Sequence, residues 1–238
     1  MSDKLGKDLE QSGLWDPKWN FWQVLYLILV VYVIELFLGW LKIPDFLGAI
    51  SGFINYALIG FGEGLLFFVA IIIFFKLIRA PLSATGLINF NWQSILYGLG
   101  GGVFLFFCVG LLGDFIIERL GTPEPQSFAL VVQGADSLWQ FVVLLILGGV
   151  IIPLKEEIIF RGLVFPPLRK AYGNAGGIVL TALFFGVMHF DLIRFLPLLF
   201  GGIVLTWLYA KTRILWPSII AHGVWNMLMT ILMWWQKG

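Results

Sequence analysis

Two adjacent carboxylates, Glu156 and Glu157, lie in one of the most apolar stretches of the chain, and Arg161 follows the second after four residues. On a helix, an acid four residues before a base is the favoured order for an ion pair. We therefore expect Glu157 to pair with Arg161, and Glu156, about 100° further round the helix, to remain free as a general base. Ionisable side chains within a membrane segment are costly unless paired, so they indicate a functional site by default.

The chain's two histidines lie in two further polar clusters, Phe185 to His189 and His222 to Asn226. Because His222 and Asn226 are four residues apart, they share a helix face and can direct two donors at one oxyanion. A carboxylate base, a nearby imidazole and an imidazole–amide pair suit the addition of water to a carbonyl, which is peptide hydrolysis. Each cluster alone could serve as polar contacts between helices. Their common position in the C-terminal half favours a shared site.

The composition excludes an ordinary soluble domain, since 60% of residues are hydrophobic and only 12% are charged. An integral membrane protein is therefore expected, with the lipid bilayer as its surroundings. A net charge of +1 gives no reason to expect nucleic acid as a partner. Residues 1–20 are polar and the first apolar stretch is long enough to span a membrane, so we expect it to remain as a signal anchor.

The predicted fold class is all-α, a polytopic transmembrane helical bundle of about seven helices. The predicted domains are a polar cytoplasmic N-terminal segment at 1–20 and a single transmembrane domain at 21–238. Pro153 should bend the fourth helix, and Gly173 should lie in the turn that follows it. The expected spans are 21–41, 53–75, 93–113, 138–165, 176–190, 196–210 and 216–235.

The lysines and arginines of the connecting segments predict an orientation with the N-terminus in the cytoplasm and the C-terminus outside. The segment from Asp114 to Ser137, expected to be an external loop, agrees with this because it is acidic apart from Arg119. Trp15, Trp19 and Trp22 resemble interfacial anchors. The predicted cytoplasmic side carries nine basic residues against four outside: Lys4, Lys7, Lys18, Lys76, Arg79, Arg169, Lys170, Lys211 and Arg213, against Lys42, Arg119, Arg194 and Lys237.

The three clusters resemble the motifs of a known family, the CPBP or Abi family of intramembrane proteases, which includes the type II CAAX prenyl endopeptidase. The motifs Glu-Glu-x-x-x-Arg, Phe-x-x-x-His and His-x-x-x-Asn stand here as Glu156 to Arg161, Phe185 to His189 and His222 to Asn226. All three are intact and in order. The resemblance covers about residues 138–235, where it implies the catalytic core.

The resemblance implies an α-helical membrane protease with specific residue roles. Glu156, helped by His189, would activate the attacking water; His222 and Asn226 would stabilise the oxyanion; and Glu157 and Arg161 would support them. Zinc is one of two cofactor alternatives, since Glu156, His189 and His222 could ligate it with a position left open. The other alternative is a reaction without metal. Spacing does not decide between them.

The expected substrate is a hydrophobic peptide or a membrane protein, because family members are linked to CAAX motifs, to peptide processing and to bacteriocin immunity. The short loops and compact length resemble prokaryotic members, so a prokaryotic cell membrane is the expected location. Two alternatives remain: a non-catalytic membrane scaffold or bacteriocin-immunity-type binding protein, and a small transporter or channel that uses the buried Glu and His groups. Oligomeric state is left open.

Overall fold

The computed structural model describes residues 16–40, 52–87 and 90–236, and this part of the chain consists of helices and the segments that connect them, without β-strands. The predicted all-α class is confirmed. The seven expected spans all appear as helical segments, and a short helix is added between the third and the fourth. The helices are α1 (Phe21–Trp40), α2 (Gly52–Leu77), α3 (Trp92–Leu120), α4 (Ser127–Gly134), α5 (Leu138–Ile146), α6 (Ile152–Glu157), α7 (Phe165–Val187), α8 (Phe195–Thr212) and α9 (Trp216–Gln236).

Four helical stretches are long and apolar enough to cross a membrane, and α1 contributes a shorter apolar stretch, Phe21–Phe37. The chain is an integral membrane protein, as its composition predicts. Many large apolar side chains on α1, α2 and α3 face outward, which suits contact with lipid acyl chains. The four stretches are Gly52–Leu77, Trp92–Leu120, Leu138–Val187 and Phe195–Thr212.

The stretch Leu138–Val187 is one continuous run of helical segments with a sharp break at Gly173. The φ and ψ angles of Gly173 are 73° and 178°. Only glycine adopts this backbone region without strain, since a Cβ would clash with the neighbouring carbonyl. The predicted turn near Gly173 is therefore confirmed, and α7 has two parts that run in different directions.

The helix that carries the paired carboxylates packs at the centre of the bundle. The most extensive packing joins α3 to α9 and α7 to α8. Gly98 and Gly102 permit the first of these contacts, since a Cβ on either would lie within 2.5 Å of Ile220 or Val224. The three motifs thus lie on α6 and the turns of helix that follow it, at the end of α7 and in the turn after it, and on α9, with α8 beside them.

Two expectations for the connecting segments are wrong. The segment from Asp114 to Ser137 is not an open loop, because α3 continues to Leu120 and α4 spans Ser127–Gly134. Phe128 of α4 packs against the backbone at Gly148, which gives an apolar segment of this loop a reason to fold back onto the bundle.

Trp19 is also not an interfacial anchor. Its side chain is only 4% exposed, and its indole nitrogen Nε1 donates a hydrogen bond of 2.8 Å to the carbonyl of Leu163. Trp22, by contrast, is 73% exposed, as expected of an anchor. Trp15 and most of the segment 1–20 lie outside the described residues, as do Lys4, Lys7, Lys42 and Lys237.

Candidate active site

The carboxylate-bearing helix α6 lies between two segments of π-helix, Leu147–Ile151 and Ile158–Val164. In the first π segment the N–H of Ile152 donates to the carbonyl of Leu147, five residues earlier instead of four. In the second, the N–H of Phe165 donates to the carbonyl of Phe160. Segments of π-helix are rare and occur often at functional sites. The bend predicted at Pro153 thus takes the form of wide helical turns on both sides of α6.

The first π segment leaves the carbonyl of Gly148 without a partner from its own helix. The N–H of Ile152 donates to the Leu147 carbonyl, and Pro153, the next residue, has no N–H. The side chain of Asn226 fills this vacancy, since its Nδ2 donates to the Gly148 carbonyl at 3.0 Å. A buried carbonyl without a donor is costly, so Asn226 stabilises the broken helix.

Helix α9 approaches this break very closely at Gly223. A Cβ on Gly223 would lie 2.4 Å from the carbonyl oxygen of Gly149, which is shorter than any van der Waals contact. Only glycine therefore fits there, and its absence of a side chain brings His222 and Asn226 up to the carboxylate-bearing helix. This close approach explains why a glycine, Gly223, lies between His222 and Asn226.

Glu157 and Arg161 form the predicted ion pair. The Nη1 of Arg161 lies 2.6 Å from Oε1 of Glu157, and both side chains are fully buried. The face of the Phe185 ring lies 4.8 Å from the guanidinium carbon, which adds a cation–π contact. The pair is thus enclosed between the second π segment and α7.

His222 contacts the same carboxylate, which the sequence does not predict. Its Nδ1 lies 2.8 Å from Oε1 of Glu157, and its Nε2 lies 3.8 Å from Oε2 of Glu156. Because an ionised carboxylate only accepts hydrogen bonds, Nδ1 carries the proton of this contact. Glu157 therefore orients the imidazole ring, and the ring presents Nε2 to Glu156.

Glu156 is the freer of the two carboxylates. Its side chain is 20% exposed, whereas that of Glu157 is 0% exposed. Within the described part of the chain Glu156 accepts no hydrogen bond, and its Oε2 lies 3.8 Å from Nε2 of the His222 ring. An open carboxylate beside a fixed imidazole is the arrangement that activation of a water molecule requires.

His189 lies close to this group but is bound differently from what the resemblance implies. Its Nδ1 lies 2.8 Å from the carbonyl of Phe185, and no hydrogen bond joins it to Glu156 among the described residues. The Phe185 ring lies between the two imidazoles, 4.7 Å from the ring of His189 and 6.0 Å from that of His222. The structure thus brings all three clusters together, with His222 rather than His189 directed at Glu156.

The loop that follows His189 is held by ionic contacts. Asp191 accepts from the backbone N–H of Arg194 at 2.9 Å and pairs with its guanidinium, which also donates to the carbonyl of Glu124 at 3.0 Å. Burial raises the pKa of Asp191, but the hydrogen bonds and charge of Arg194 outweigh this and hold the pKa below its usual value. These contacts hold the segment that directly follows the turn with His189.

Glu35 and Glu63, the other acidic residues within predicted spans, lie apart from this group. Glu35 is in electrostatic range of Lys155 and of Glu63, and its Oε1 has no hydrogen-bond partner among the described residues. Lys155 precedes Glu156 on α6. Glu35 therefore lies within electrostatic range of α6 through Lys155.

Sequence reasoning missed two residues of α8 that contact Arg161, Gly202 and Thr206. Their spacing of four residues places them on one face of α8, but an apolar helix without ionisable groups gave no signal of a role. The contact of Asn226 with Gly148 was also missed. The available signal was Pro153, which lies five residues after Gly148 and four after Gly149 and has no N–H to donate to their carbonyls.

The side chains as placed do not form a metal site. In the described part of the chain no three His, Cys, Asp or Glu side chains converge as metal ligands. His222 uses Nδ1 on Glu157, and His189 uses Nδ1 on the Phe185 carbonyl. The set of Glu156, His189 and His222 as zinc ligands stays a prediction.

Comparison with known proteins agrees with the three motifs. Residues 138–228 match the model of a family described as type II CAAX prenyl endopeptidase Rce1-like. The predicted CPBP-family resemblance is confirmed. The chain is also similar to a curated protein of Bacillus subtilis (strain 168) named "Putative membrane peptidase YdiL", with 26% identity over 141 residues. That match covers 58% of this chain and 56% of the Bacillus protein, so it spans little more than half of each. No solved structure matches the chain.

Proposed function

We propose that the chain is an intramembrane endopeptidase that hydrolyses a peptide bond of a hydrophobic or membrane-associated substrate. The observation that supports the proposal is the asymmetry of the two carboxylates. Glu157 is buried and bound by Arg161 and His222, whereas Glu156 is partly exposed and lies 3.8 Å from Nε2 of His222 without a hydrogen bond. The family and the Bacillus relative, whose names are those of an endopeptidase and a membrane peptidase, support the same class.

In the proposed reaction, Glu156 removes a proton from water as the water oxygen bonds to the carbonyl carbon of the substrate. The carbonyl electron pair moves to oxygen and forms an oxyanion. Glu156 then gives the proton to the amide nitrogen, the C–N bond breaks, and a carboxylic acid and an amine leave.

In the proposed reaction, two side chains of α9 stabilise the oxyanion. Asn226 uses one amide hydrogen on the Gly148 carbonyl and has a second to donate. Glu157 lies against Nδ1 of His222 and stabilises the ring when both of its nitrogens hold protons, which makes Nε2 a donor. Loss of one such donor typically lowers a catalytic rate by about 10²-fold to 10³-fold.

The test is cleavage by the full chain, purified and reconstituted in lipid vesicles. The probes are synthetic peptides with one apolar membrane-spanning segment and a CAAX peptide with and without a farnesyl group, and new peptide ends are identified by mass spectrometry. Wild type is expected to cleave at least one probe, and Glu156→Gln none. Glu63→Gln, which alters another carboxylate of the apolar helices, is the matched control and should cleave at the wild-type rate.

Cleavage by Glu156→Gln at the wild-type rate would remove Glu156 from the mechanism. No cleavage of any probe by wild type would contradict the proposed activity and favour the binding-protein alternative.

A further inference from the structure

The guanidinium of Arg161 is held at all three of its nitrogens, and α8 supplies two of the partners. Nη1 donates to Oε1 of Glu157 at 2.6 Å, Nε to the hydroxyl of Thr206 at 3.2 Å, and Nη2 to the carbonyl of Gly202 at 3.2 Å. A guanidinium is planar, with its donors in a rigid fork, so three acceptors in fixed positions determine its orientation. The two acceptors on α8 therefore fix the orientation of the Arg161 guanidinium relative to the Glu157 carboxylate.

The hydroxyl of Thr206 both donates and accepts a hydrogen bond in this arrangement. It donates to the Gly202 carbonyl one turn earlier at 2.7 Å and accepts from Nε of Arg161. A buried threonine often bonds to its own helix in this way without any further role. Here the back-bond fixes the hydroxyl hydrogen and leaves a lone pair directed at Arg161, and the side chain is fully buried.

The orientation of Arg161 passes to the candidate active site through one oxygen atom. Oε1 of Glu157 accepts both from Nη1 of Arg161 and from Nδ1 of His222, while Oε2 has no hydrogen-bond partner among the described residues. A displacement of the guanidinium thus moves the carboxylate oxygen that orients the His222 ring. The other ring nitrogen, Nε2, faces Glu156 at 3.8 Å.

We propose that Thr206 is a positioning residue that acts through Arg161 and Glu157 to set the orientation of the His222 ring towards Glu156. Its hydroxyl has no hydrogen bond to Glu156, His189 or Asn226 within the described part of the chain, so it acts at a distance. The consequence for turnover rests on the proposed peptidase function. The effect on the ring does not.

The test uses the two histidines of the chain as reporters. The full chain in detergent micelles, labelled with ¹⁵N-histidine, gives imidazole resonances from two rings only, and His189→Gln identifies which belong to His222. Thr206→Val, which keeps the shape and removes the hydroxyl, should shift the His222 resonances and leave those of His189 in place. Thr206→Ser, which keeps the hydroxyl, should restore the wild-type positions.

The same variants are assayed with whichever peptide wild type cleaves. Thr206→Val should lower kcat by about tenfold with KM within twofold of wild type, because a weakened contact to a charged group typically corresponds to that factor. Thr206→Ser should recover most of the loss. Thr181→Val is the matched control, since Thr181 is equally buried and its hydroxyl has no hydrogen-bond partner among the described residues. Thr181→Val should change neither the His222 resonances nor kcat.

Unchanged His222 resonances in Thr206→Val, or a Thr206→Ser variant as impaired as Thr206→Val, would overturn the proposal. If Thr206→Val does not fold in detergent, Thr206→Ala is compared with Thr206→Ser in the same way. Loss of the fold in both would assign Thr206 to folding and also overturn the positioning role. A wild type that cleaves no peptide while Thr206→Val still shifts the His222 resonances would contradict the peptidase function alone.

Discussion

At the residue scale, Glu157 is the side chain on which the site depends most. It is fully buried, and one of its oxygens serves both Arg161 and His222. The cost of desolvating these charges is recovered only if the partners remain together. The chemistry proposed for the freer Glu156 therefore rests on the carboxylate next to it.

The coupling of Glu157 and Arg161 can be measured. Arg161→Ala leaves a buried carboxylate without its cation, which typically costs about 3 to 5 kcal/mol of stability. Combining it with Glu157→Gln should recover part of that loss. Thermal unfolding of the four proteins in detergent completes a double-mutant cycle, and simply additive effects would contradict the pairing.

Metal dependence is also a residue-scale matter, and Asn226 separates the alternatives. If Asn226 is an oxyanion donor, Asn226→Ala should lower kcat by about 10²-fold to 10³-fold with little change in KM. The measurement is paired with metal analysis of active protein. Stoichiometric zinc, lost in both His189→Ala and His222→Ala, would instead assign these two histidines as ligands.

At the element scale, α9 and the broken helix that carries Glu156 and Glu157 stabilise each other. Pro153 deprives the Gly148 carbonyl of a helix donor, and Asn226 supplies one. Pro153 and Asn226, which are far apart in the sequence, are thereby coupled through the carbonyl of Gly148. Neither π segment is visible as a pattern in the sequence, because an apolar run reads the same in α and π geometry.

Replacement of Pro153 tests this coupling. Pro153→Ala provides the missing N–H, so the Gly148 carbonyl no longer needs Asn226. In this background Asn226→Ala should cost less stability than in wild type, where an unpaired buried carbonyl costs about 1 to 3 kcal/mol. Thermal unfolding of the single and double variants gives the comparison, and an equal cost in both backgrounds would refute the coupling.

Much of the architecture could be predicted from the sequence, but the side-chain contacts could not. Apolar length located the seven helices, and Gly173 located the turn within α7. Helix α4 was missed because its eight residues are too short for a membrane span. The Glu157–Arg161 pair follows from a spacing of four on one helix, whereas the Glu157–His222 contact joins residues 65 apart and depends on how α9 packs.

At the scale of the whole molecule, the orientation in the membrane decides from which side a substrate arrives. The basic residues Arg169 and Lys170 beside the Gly173 break predict that this turn lies in the cytoplasm. We expect the candidate site to open to that side.

The orientation can be tested with single cysteines. In a Cys108→Ser background, which removes the native thiol, a cysteine is introduced by Asn174→Cys next to the break. An impermeant thiol reagent should label it only in inverted membrane vesicles. Labelling of intact cells would place the turn outside and reverse the predicted topology.

The hydrogen bond from Trp19 to the Leu163 carbonyl has a consequence for how the protein is made. The two residues are 144 positions apart, and Pro167 cannot supply the N–H that a regular helix would give to that carbonyl. During synthesis the indole of Trp19 is present long before its acceptor, and the second π segment gains this outside donor only when the later part of the chain packs against the segment before α1. Residues ahead of α1 thus complete the helical run that carries Glu156 and Glu157, so we expect residues 138–235 on their own to lack this contact.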